Sequence, residues 1–284
     1  MTQTVQDSGL AALAGLIAAG GVAILSGAGL STESGIPDYR GPTGLARNAQ
    51  PMTYQTFIGS AAARQRYWAR SHLGWRAIAA AAPNSGHQAV AELERRGQLT
   101  GIITQNVDGL HQAAGAQQVT ELHGSLSRVR CLGCGQRTAR TELDQRLRAA
   151  NPGWDEQPGQ LNPDGDAMLS DGAEARFQVV GCGACGGVLK PDVIFFGENV
   201  PRARVDSCYE MVGGSRALVV LGSSLTVMSG YRFVRRASKL AIPVVIINQG
   251  PTRGDPHALA TIDAPLGAAL STLIARVRPE AAVS

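Results

Sequence analysis

The chain has 284 residues, of which 44% are apolar, and a formal net charge of +4. This composition is typical of a globular protein that can bury a sizeable core, and it excludes global disorder. The positive charge comes almost wholly from arginines, because Lys190 and Lys239 are the only lysines. With no concentrated basic block, it permits an acidic partner without requiring nucleic acid.

The first apolar stretch, at residues 10–19, is shorter than the ~20 residues that a membrane span needs. It ends at Gly20 and Gly21 and leads into a strand-like segment. These features predict a core helix rather than a signal peptide, and no Arg-rich transit peptide is present. We therefore expect a cytoplasmic protein, of bacterial origin, that does not contact a membrane.

Short apolar runs predict strands that are buried on both faces, as in a parallel sheet. Each run ends in small or polar residues, and the four are residues 22–25, 102–104, 217–221 and 244–247. A helical pattern lies between the first strands, for instance at residues 87–96. Alternating strands and helices predict an α/β fold with a doubly wound, Rossmann-like parallel sheet, in which ligands bind at the carboxyl ends of the strands.

Two regions interrupt this alternation and predict an inserted helical lobe and a smaller inserted lobe. Residues 41–85 are expected to form the helical lobe with a cofactor loop, and residues 125–189, which enclose the cysteine pairs, a zinc-binding small domain. The Pro-, Gly- and Asp-rich residues 151–176 are predicted to form a long surface loop. The Rossmann-like domain is then made of residues 9–40, 86–124 and 190–284.

The first strand leads into Gly27, Ala28 and Gly29, small residues of the kind that let a backbone approach a pyrophosphate. Thr32 stands where the dinucleotide fingerprint has its third glycine. The motif alone is therefore also compatible with a tight turn that binds no ligand.

A carboxylate, an aromatic ring and a guanidinium then follow one another at Asp38, Tyr39 and Arg40, after a Gly/Pro break. Such a loop can cover a nucleotide, with Arg40 making charge-assisted contacts. This neighbouring segment strengthens the prediction of a nucleotide site.

The cysteines form two C-x-x-C pairs, Cys131 with Cys134 and Cys182 with Cys185, each followed by glycine. Two thiolates at this spacing reach one metal from a tight turn, and four leave no position for water. We therefore predict one structural zinc ion. Redox pairs or disulfides are the alternatives, although five cysteines without a secretory signal argue against a disulfide framework.

His123 ends a short alternating run just before the first cysteine pair and is followed by Gly124. A loop at this point would face a cleft, which makes His123 a candidate catalytic residue. His87 and His111 are its rivals on the residues alone.

In this order, the motifs resemble the sirtuin family over nearly the whole chain, roughly residues 10–275. The resemblance is carried by the two cysteine pairs and by residues 27–40, 105–108, 122–124, 193–198, 222–224 and 248–250. Residues 31–40, 64–70, 162–166 and 230–233 resemble the class II branch, which includes mitochondrial sirtuin four.

The resemblance implies an NAD-dependent protein-lysine deacylase that releases nicotinamide and O-acyl-ADP-ribose, with NAD as co-substrate and one structural zinc ion. It implies that His123 is the general base for a ribose hydroxyl, a role that suits a neutral imidazole, and that Asn106 is a second catalytic residue. The residues implied to contact NAD are Gly27, Ala28, Gly29, Ser31, Asp38, Tyr39, Arg40, Gln105, Asn106, Asp108, Gly222, Ser223, Ser224, Asn248, Gln249, Gly250 and Leu266.

The resemblance also implies that the substrate, an acyl-lysine protein or peptide, binds as an added strand. It would lie between the segment from Val193 to Glu198 and the segment from Val227 to Gly230. Tyr67 and Arg70 have the spacing that grips acidic acyl groups in another sirtuin branch, but a surface helix face is the favoured explanation here.

Three other functions remain open at this stage. A protein ADP-ribosyltransferase on the same fold would use the same NAD contacts. A zinc-ribbon module for nucleic acid needs aromatic residues among the arginines near the cysteines, and none interleaves with Arg128, Arg130, Arg137 or Arg140, so we expect no direct nucleic-acid binding. A Rossmann-like oxidoreductase would reduce the nicotinamide rather than release it.

Overall fold

The chain folds as parallel strands with helices on both faces, beside a smaller antiparallel sheet. The computed structural model describes residues 2–38, 51–154, 160–161, 167–168 and 172–277. The strands are β1 (Val22–Ser26), β2 (Leu99–Thr104), β3 (Val119–Glu121), β4 (Gly124–Cys131), β5 (Arg137–Ala139), β6 (Gln160–Leu161), β7 (Ala167–Met168), β8 (Leu189–Val193), β9 (Ala217–Leu221), β10 (Val244–Ile247) and β11 (Ala260–Ile262). The α-helices are α1 (Thr2–Ala18), α2 (Tyr54–Gly59), α3 (Ala61–Ala80), α4 (Ser85–Arg95), α5 (Leu110–Ala113), α6 (Arg140–Ala150), α7 (Arg202–Gly213), α8 (Met228–Lys239) and α9 (Leu266–Arg276).

The large sheet has the strand order β3-β2-β1-β9-β10-β11, and its paired strands are all parallel. This is the strand order of a dinucleotide-binding doubly wound sheet. The chain direction across the sheet reverses between β1 and β9. In such sheets the ligand crevice lies at this reversal, outside the carboxyl ends of the strands.

Burial on both faces explains why the strands are continuous apolar runs. In β1, Val22 and Ile24 pack into the core formed with α1, α4 and α9, whereas Ala23 and Leu25 pack into the core formed with α7 and α8. The predicted doubly wound fold and its four buried strands are therefore confirmed. The helix expected at residues 10–19 is the second half of α1.

The smaller sheet has the order β5-β4-β8 and is antiparallel. Its core is shared with α2, α3 and α6, so the predicted helical lobe is helical in its described part. The guanidinium of Arg140, only 1% exposed, stacks over Trp68 and Trp75 at 5.3 Å and 5.5 Å from the ring centroids. Its charge is offset by Asp144, at 3.6 Å.

The surface loop predicted at residues 151–176 is wrong for several of the residues that the structure describes. Trp154 is buried, and its indole nitrogen donates to the carbonyl of Ala69 at 3.1 Å. Further along, β6 pairs with β7, and Ala167 is buried. The polar composition of this segment did not indicate burial, but the large apolar surface of the Trp154 indole stabilises a buried position despite several polar neighbours.

The domain limits predicted from the sequence remain a prediction. β8, at the limit placed at residue 190, pairs with β4 of the small sheet. Across the described parts of the chain, we find no helix with both the length and the apolar character required to cross a bilayer.

Candidate active site

A cavity of about 1200 Å³ lies at the carboxyl ends of β1, β2 and β9. It brings together all the described residues that the sequence implicated in NAD binding or catalysis, although these are spread over more than 230 positions of the chain, from residue 27 to residue 266. They are Gly27, Ala28, Gly29, Ser31, Asp38, Gln105, Asn106, Asp108, His123, Gly222, Ser223, Ser224, Asn248, Gln249, Gly250 and Leu266. Tyr39 and Arg40 lie outside the described residues, and the individual roles stay predictions.

The glycine loop after β1 touches the loop after β9. The backbone N–H of Gly29 donates to the carbonyl of Gly222 at 2.8 Å. A Cβ on Gly29 would lie 2.9 Å from Gly222 Cα, and a Cβ on Gly27 would lie 2.7 Å from Ser223 Cβ. Glycine is therefore needed because two backbones meet, and the cavity wall here is mostly backbone, which suits a diphosphate.

Replacing Gly29 by alanine is expected to weaken NAD binding by roughly 5- to 100-fold. The new methyl would push the two loops apart, and overpacking of this kind costs about 1–3 kcal/mol. The measurement is the NAD dissociation constant by calorimetry. Gly15→Ala is the matched control, since a Cβ there meets no atom within 4 Å, and it should bind NAD normally. Equal affinity in both variants would contradict the proposed loop contact.

Three polar residues form a hydrogen-bonded chain beside this loop. The Asn106 amide donates to the carbonyl of Gly27 and to Ser31 Oγ, both at 3.0 Å. Ser31 Oγ in turn donates to Asp108 Oδ2 at 2.7 Å. Burial raises the pKa of Asp108, and hydrogen bonds from Leu110 N–H and Ser31 partly offset this rise. The network fixes the Asn106 and Asp108 side chains at the cavity wall.

His123 is held at the cavity by both ring nitrogens. Nδ1 lies 2.8 Å from the carbonyl oxygen of Gln105, and Nε2 lies 2.7 Å from Ser229 Oγ. Burial lowers the pKa of His123, and the positive charges of Arg204 and Arg232 lower it further, against the opposing effect of the Gln105 carbonyl. A neutral imidazole at neutral pH follows, as a general base requires.

The rival histidines are both buried and do not line the cavity. The Asn84 N–H donates to His87 Nδ1 at 3.4 Å, and His111 Nε2 lies 2.8 Å from Ser26 Oγ. Burial lowers the pKa of His87 to about 4 and that of His111 to about 3. Neither lines the cavity, so His123 is the only histidine to do so in the part of the chain that the structure describes.

The far end of the cavity is built by the residues after β10 and the start of α9. The Asn248 amide donates to the carbonyls of Gln249 and Gly250 at 3.0 Å and 2.9 Å. Glu33 accepts from the Gly267 N–H at 2.9 Å, across 234 positions of sequence. Sequence reasoning missed Glu33, because nothing local to it indicates that it caps a helix near the other end of the chain.

The two segments implied to bind the peptide both line the cavity. On one side, Lys190 Nζ and the Phe195 N–H both reach Glu198 Oε2, at 2.9 Å each. The Ile194 N–H donates to the carbonyl of His123 at 2.8 Å, which ties this segment to the candidate base. On the other side, Ser229 and Arg232 line the cavity. The sequence placed Ser229 only within the implied peptide segment and Arg232 only within the class II motif at residues 230–233. It gave no sign that both lie beside His123, because the three residues are far apart in the chain.

The four predicted zinc ligands form one cluster away from the cavity. Their Sγ atoms all lie within 4.8 Å of one another. The sulfurs of Cys131 and Cys185 are 3.5 Å apart and those of Cys134 and Cys182 are 3.8 Å apart. Disulfides need about 2.05 Å, so the disulfide alternative is wrong. Backbone N–H donors, above all that of Cys134, lower the pKa of Cys131 to about 6. Four thiols so arranged fit a tetrahedral zinc ion.

The favoured explanation of Tyr67 and Arg70 as a surface helix face needs correction. Tyr67 is 3% exposed and packs edge-on against Phe57 and Phe195. Arg70 pairs with Glu174 at 2.9 Å. Neither residue lines the cavity, and the charge of Arg70 is already matched by a carboxylate. The pair therefore stabilises the packing of α3.

Comparisons with known proteins agree with this site. A model of the Sir2 family matches residues 27–229. NAD-dependent protein deacetylase 1 of Streptomyces coelicolor is 58% identical over 268 residues, which cover 94% of this chain and 90% of the relative. NAD-dependent protein deacetylase 1 of Mycobacterium avium is 48% identical over 272 residues, which cover 94% of this chain and 95% of the relative.

Solved structures have the same fold. A chain from work on the structural basis for the mechanism and regulation of Sir2 enzymes superposes with a TM-score of 0.76 and 29% identity, over 95% of this chain and 98% of that one. A Sir2–p53 peptide–NAD+ complex gives 0.70 and 26%, over 89% and 92%. A Sir2 chain with a deacetylated p53 peptide and 3'-O-acetyl ADP-ribose gives 0.74 and 25%, over 96% and 98%.

Proposed function

Because the chain belongs to the Sir2 family, we propose that it is an NAD-dependent protein-lysine deacylase that releases nicotinamide and O-acyl-ADP-ribose. The observation that carries this function is the position of His123. It is a half-buried, neutral imidazole in a large cavity at the reversal point of a dinucleotide-binding sheet. NAD-dependent protein deacetylases with 58% and 48% identity over 94% of the chain support the same chemistry.

In the proposed mechanism, the backbone of the glycine loop binds the diphosphate of NAD and side-chain amides contact the ribose. A single residue, His123, acts as the base. The Gln105 carbonyl can only accept, so Nδ1 of His123 carries the proton and Nε2 carries the lone pair. Nε2 is thus the atom that takes the proton from the ribose hydroxyl. Asn106, held by Gly27 and Ser31, is the proposed second catalytic residue.

A zinc ion held by the four cysteines would supply structure rather than catalysis, because four thiolates would complete its coordination and leave no position for water or substrate. None of Cys131, Cys134, Cys182 and Cys185 lines the cavity. The ion would join the turn after β4 to the turn before β8, and so hold the small sheet together.

We further propose that the substrate peptide adds as a strand between the segment from Val193 to Glu198 and the segment from Val227 to Gly230. The presence of both segments in the cavity lining supports this placement. The motifs at residues 31–40, 64–70 and 230–233 support membership of the class II branch. A cytoplasmic location is part of the same proposal.

The function is tested with a panel of acyl-lysine peptides incubated with NAD and analysed by mass spectrometry. We expect peptide that has lost its acyl group, free nicotinamide and O-acyl-ADP-ribose in equal amounts. A protein substrate that gains ADP-ribose and keeps its acyl group would indicate an ADP-ribosyltransferase instead. A rise in reduced-nicotinamide absorbance would indicate an oxidoreductase. Either result overturns the deacylase assignment.

A further inference from the structure

The first turn of α8 contacts the proposed base directly. Ser229 is the second residue of this helix, and its Oγ lies 2.7 Å from Nε2 of His123. The opposite ring nitrogen, Nδ1, lies 2.8 Å from the carbonyl oxygen of Gln105. The imidazole is therefore held from both sides, once by β2's carboxyl end and once by α8.

The direction of these two hydrogen bonds follows from the donor and acceptor capacity of each group. A carbonyl oxygen only accepts, so Nδ1 donates to Gln105. Nε2 is then unprotonated, and Ser229 must donate its hydroxyl proton to it. The serine hydroxyl consequently occupies the one lone pair that the deacylation uses.

Close packing keeps Ser229 in this place. A Cβ on its neighbour Gly230 would overlap the side-chain amide of Gln105, coming within 2.7 Å of Cδ. The first turn of α8 therefore rests on the same residue whose carbonyl holds the other side of the ring. Ser229 and Gln105 thus form a clamp on the imidazole, and Gly230, next to Ser229, packs against the Gln105 side chain.

The surroundings favour the neutral imidazole that this clamp requires. Arg232, one turn further along α8, and Arg204 of α7 both act against a positive charge on His123. The nearby carboxylates are engaged elsewhere, since Asp108 is bonded to Ser31 and Glu198 is paired with Lys190. The N-terminus of α8, which carries the positive end of the helix dipole, is next to His123 and therefore also disfavours a positive charge on the imidazole.

We propose that Ser229 is a positioning residue for the base, and this inference rests on the proposed function. In the free protein its hydroxyl fixes the ring orientation and the Nδ1–H tautomer of His123. When the ribose hydroxyl arrives, it replaces Ser229 at Nε2, and the proton moves from the ribose to His123. Ser229 donates a hydrogen bond and loses no proton.

The experiment compares Ser229→Ala with Ser229→Thr, which keeps a hydroxyl, and with Ser207→Ala, a control on the exposed face of α7. The first readout is the NMR titration of His123 in the protein without NAD. Loss of the hydrogen bond to Nε2 destabilises the neutral form, so Ser229→Ala should raise the His123 pKa by roughly half a unit to one unit. Ser229→Thr and Ser207→Ala should leave it near its original value.

The second readout is the pH dependence of kcat/KM for an acyl peptide. Activity needs neutral His123, so the acidic limb of Ser229→Ala should move to higher pH, with a loss of about 3- to 10-fold below the limb and recovery above it. A loss of equal size at all pH values would indicate a merely structural role. That result, or an unchanged His123 titration, overturns the proposal. A protein with no deacylase activity at all would contradict the proposed function, while the titration would still decide the role of the hydroxyl.

Discussion

His123→Ala is expected to reduce deacylation by about 10²- to 10⁴-fold while NAD still binds. The variant removes the imidazole that lines the cavity, whose lowered pKa keeps it neutral at physiological pH and whose two ring nitrogens are both hydrogen-bonded. The contacts at the glycine loop lie on other residues and remain intact. The measurements are the single-turnover rate of acyl loss and the NAD dissociation constant.

The matched control for this variant is His257→Ala. His257 is bonded to Tyr231 and Ser238 on the far side of α8 and does not line the cavity. Its replacement should leave the turnover close to that of the unchanged protein. Near-normal turnover by His123→Ala would remove His123 from the mechanism, and loss of NAD binding would assign it to binding instead.

Cys131→Ser is expected to release the zinc ion and destabilise the small sheet. A serine hydroxyl does not replace a thiolate at a closed zinc site, and zinc affinity is folding free energy in such lobes. We expect a loss of at least about 3 kcal/mol, or roughly 6–12 °C in Tm. Metal content by mass spectrometry and the melting temperature by calorimetry are the measurements.

Cys208→Ala separates a loss of metal from the loss of any buried cysteine. Cys208 is fully buried in α7, and burial raises the pKa of its thiol to about 11. It lies outside the cluster of Cys131, Cys134, Cys182 and Cys185. This control should keep one zinc ion per chain. Unchanged metal content and Tm in Cys131→Ser would refute the structural role of the site.

The zinc cluster and the base stand at opposite ends of one strand. β4 begins at Gly124, next to His123, and ends at Cys131. β8 pairs with this strand, and the Ile194 N–H just beyond it donates to the carbonyl of His123. Loss of zinc is therefore expected to lower activity as well, through the displacement of β4 and β8 rather than through the chemistry.

Local features of the chain were sufficient to predict the four inner strands of the six-stranded sheet, the metal cluster and most of the cavity lining. A buried parallel strand needs an uninterrupted apolar run, so residues 22–25, 102–104, 217–221 and 244–247 were recognisable by inspection. Two thiols three positions apart can likewise bind one metal ion from a single tight turn, so the spacing alone indicated the metal cluster. Because parallel strands end at one edge, polar residues after each strand were expected to meet, and the structure has them in one cavity.

Only the tertiary structure could decide between residues of the same type that fitted the same role. Three histidines were compatible with the role of the base. His123 is distinguished because it lines the cavity, whereas His87 and His111 are fully buried and do not. The Ser229 hydroxyl at Nε2 and the burial of Tyr67 also depend on residues far along the chain. Periodicity and spacing report on neighbours within a few positions, whereas hydrogen bonds and burial arise between elements brought together by packing. Local sequence therefore determines which chemical groups the site contains, whereas the tertiary packing of distant elements determines their distances, burial and hydrogen bonds.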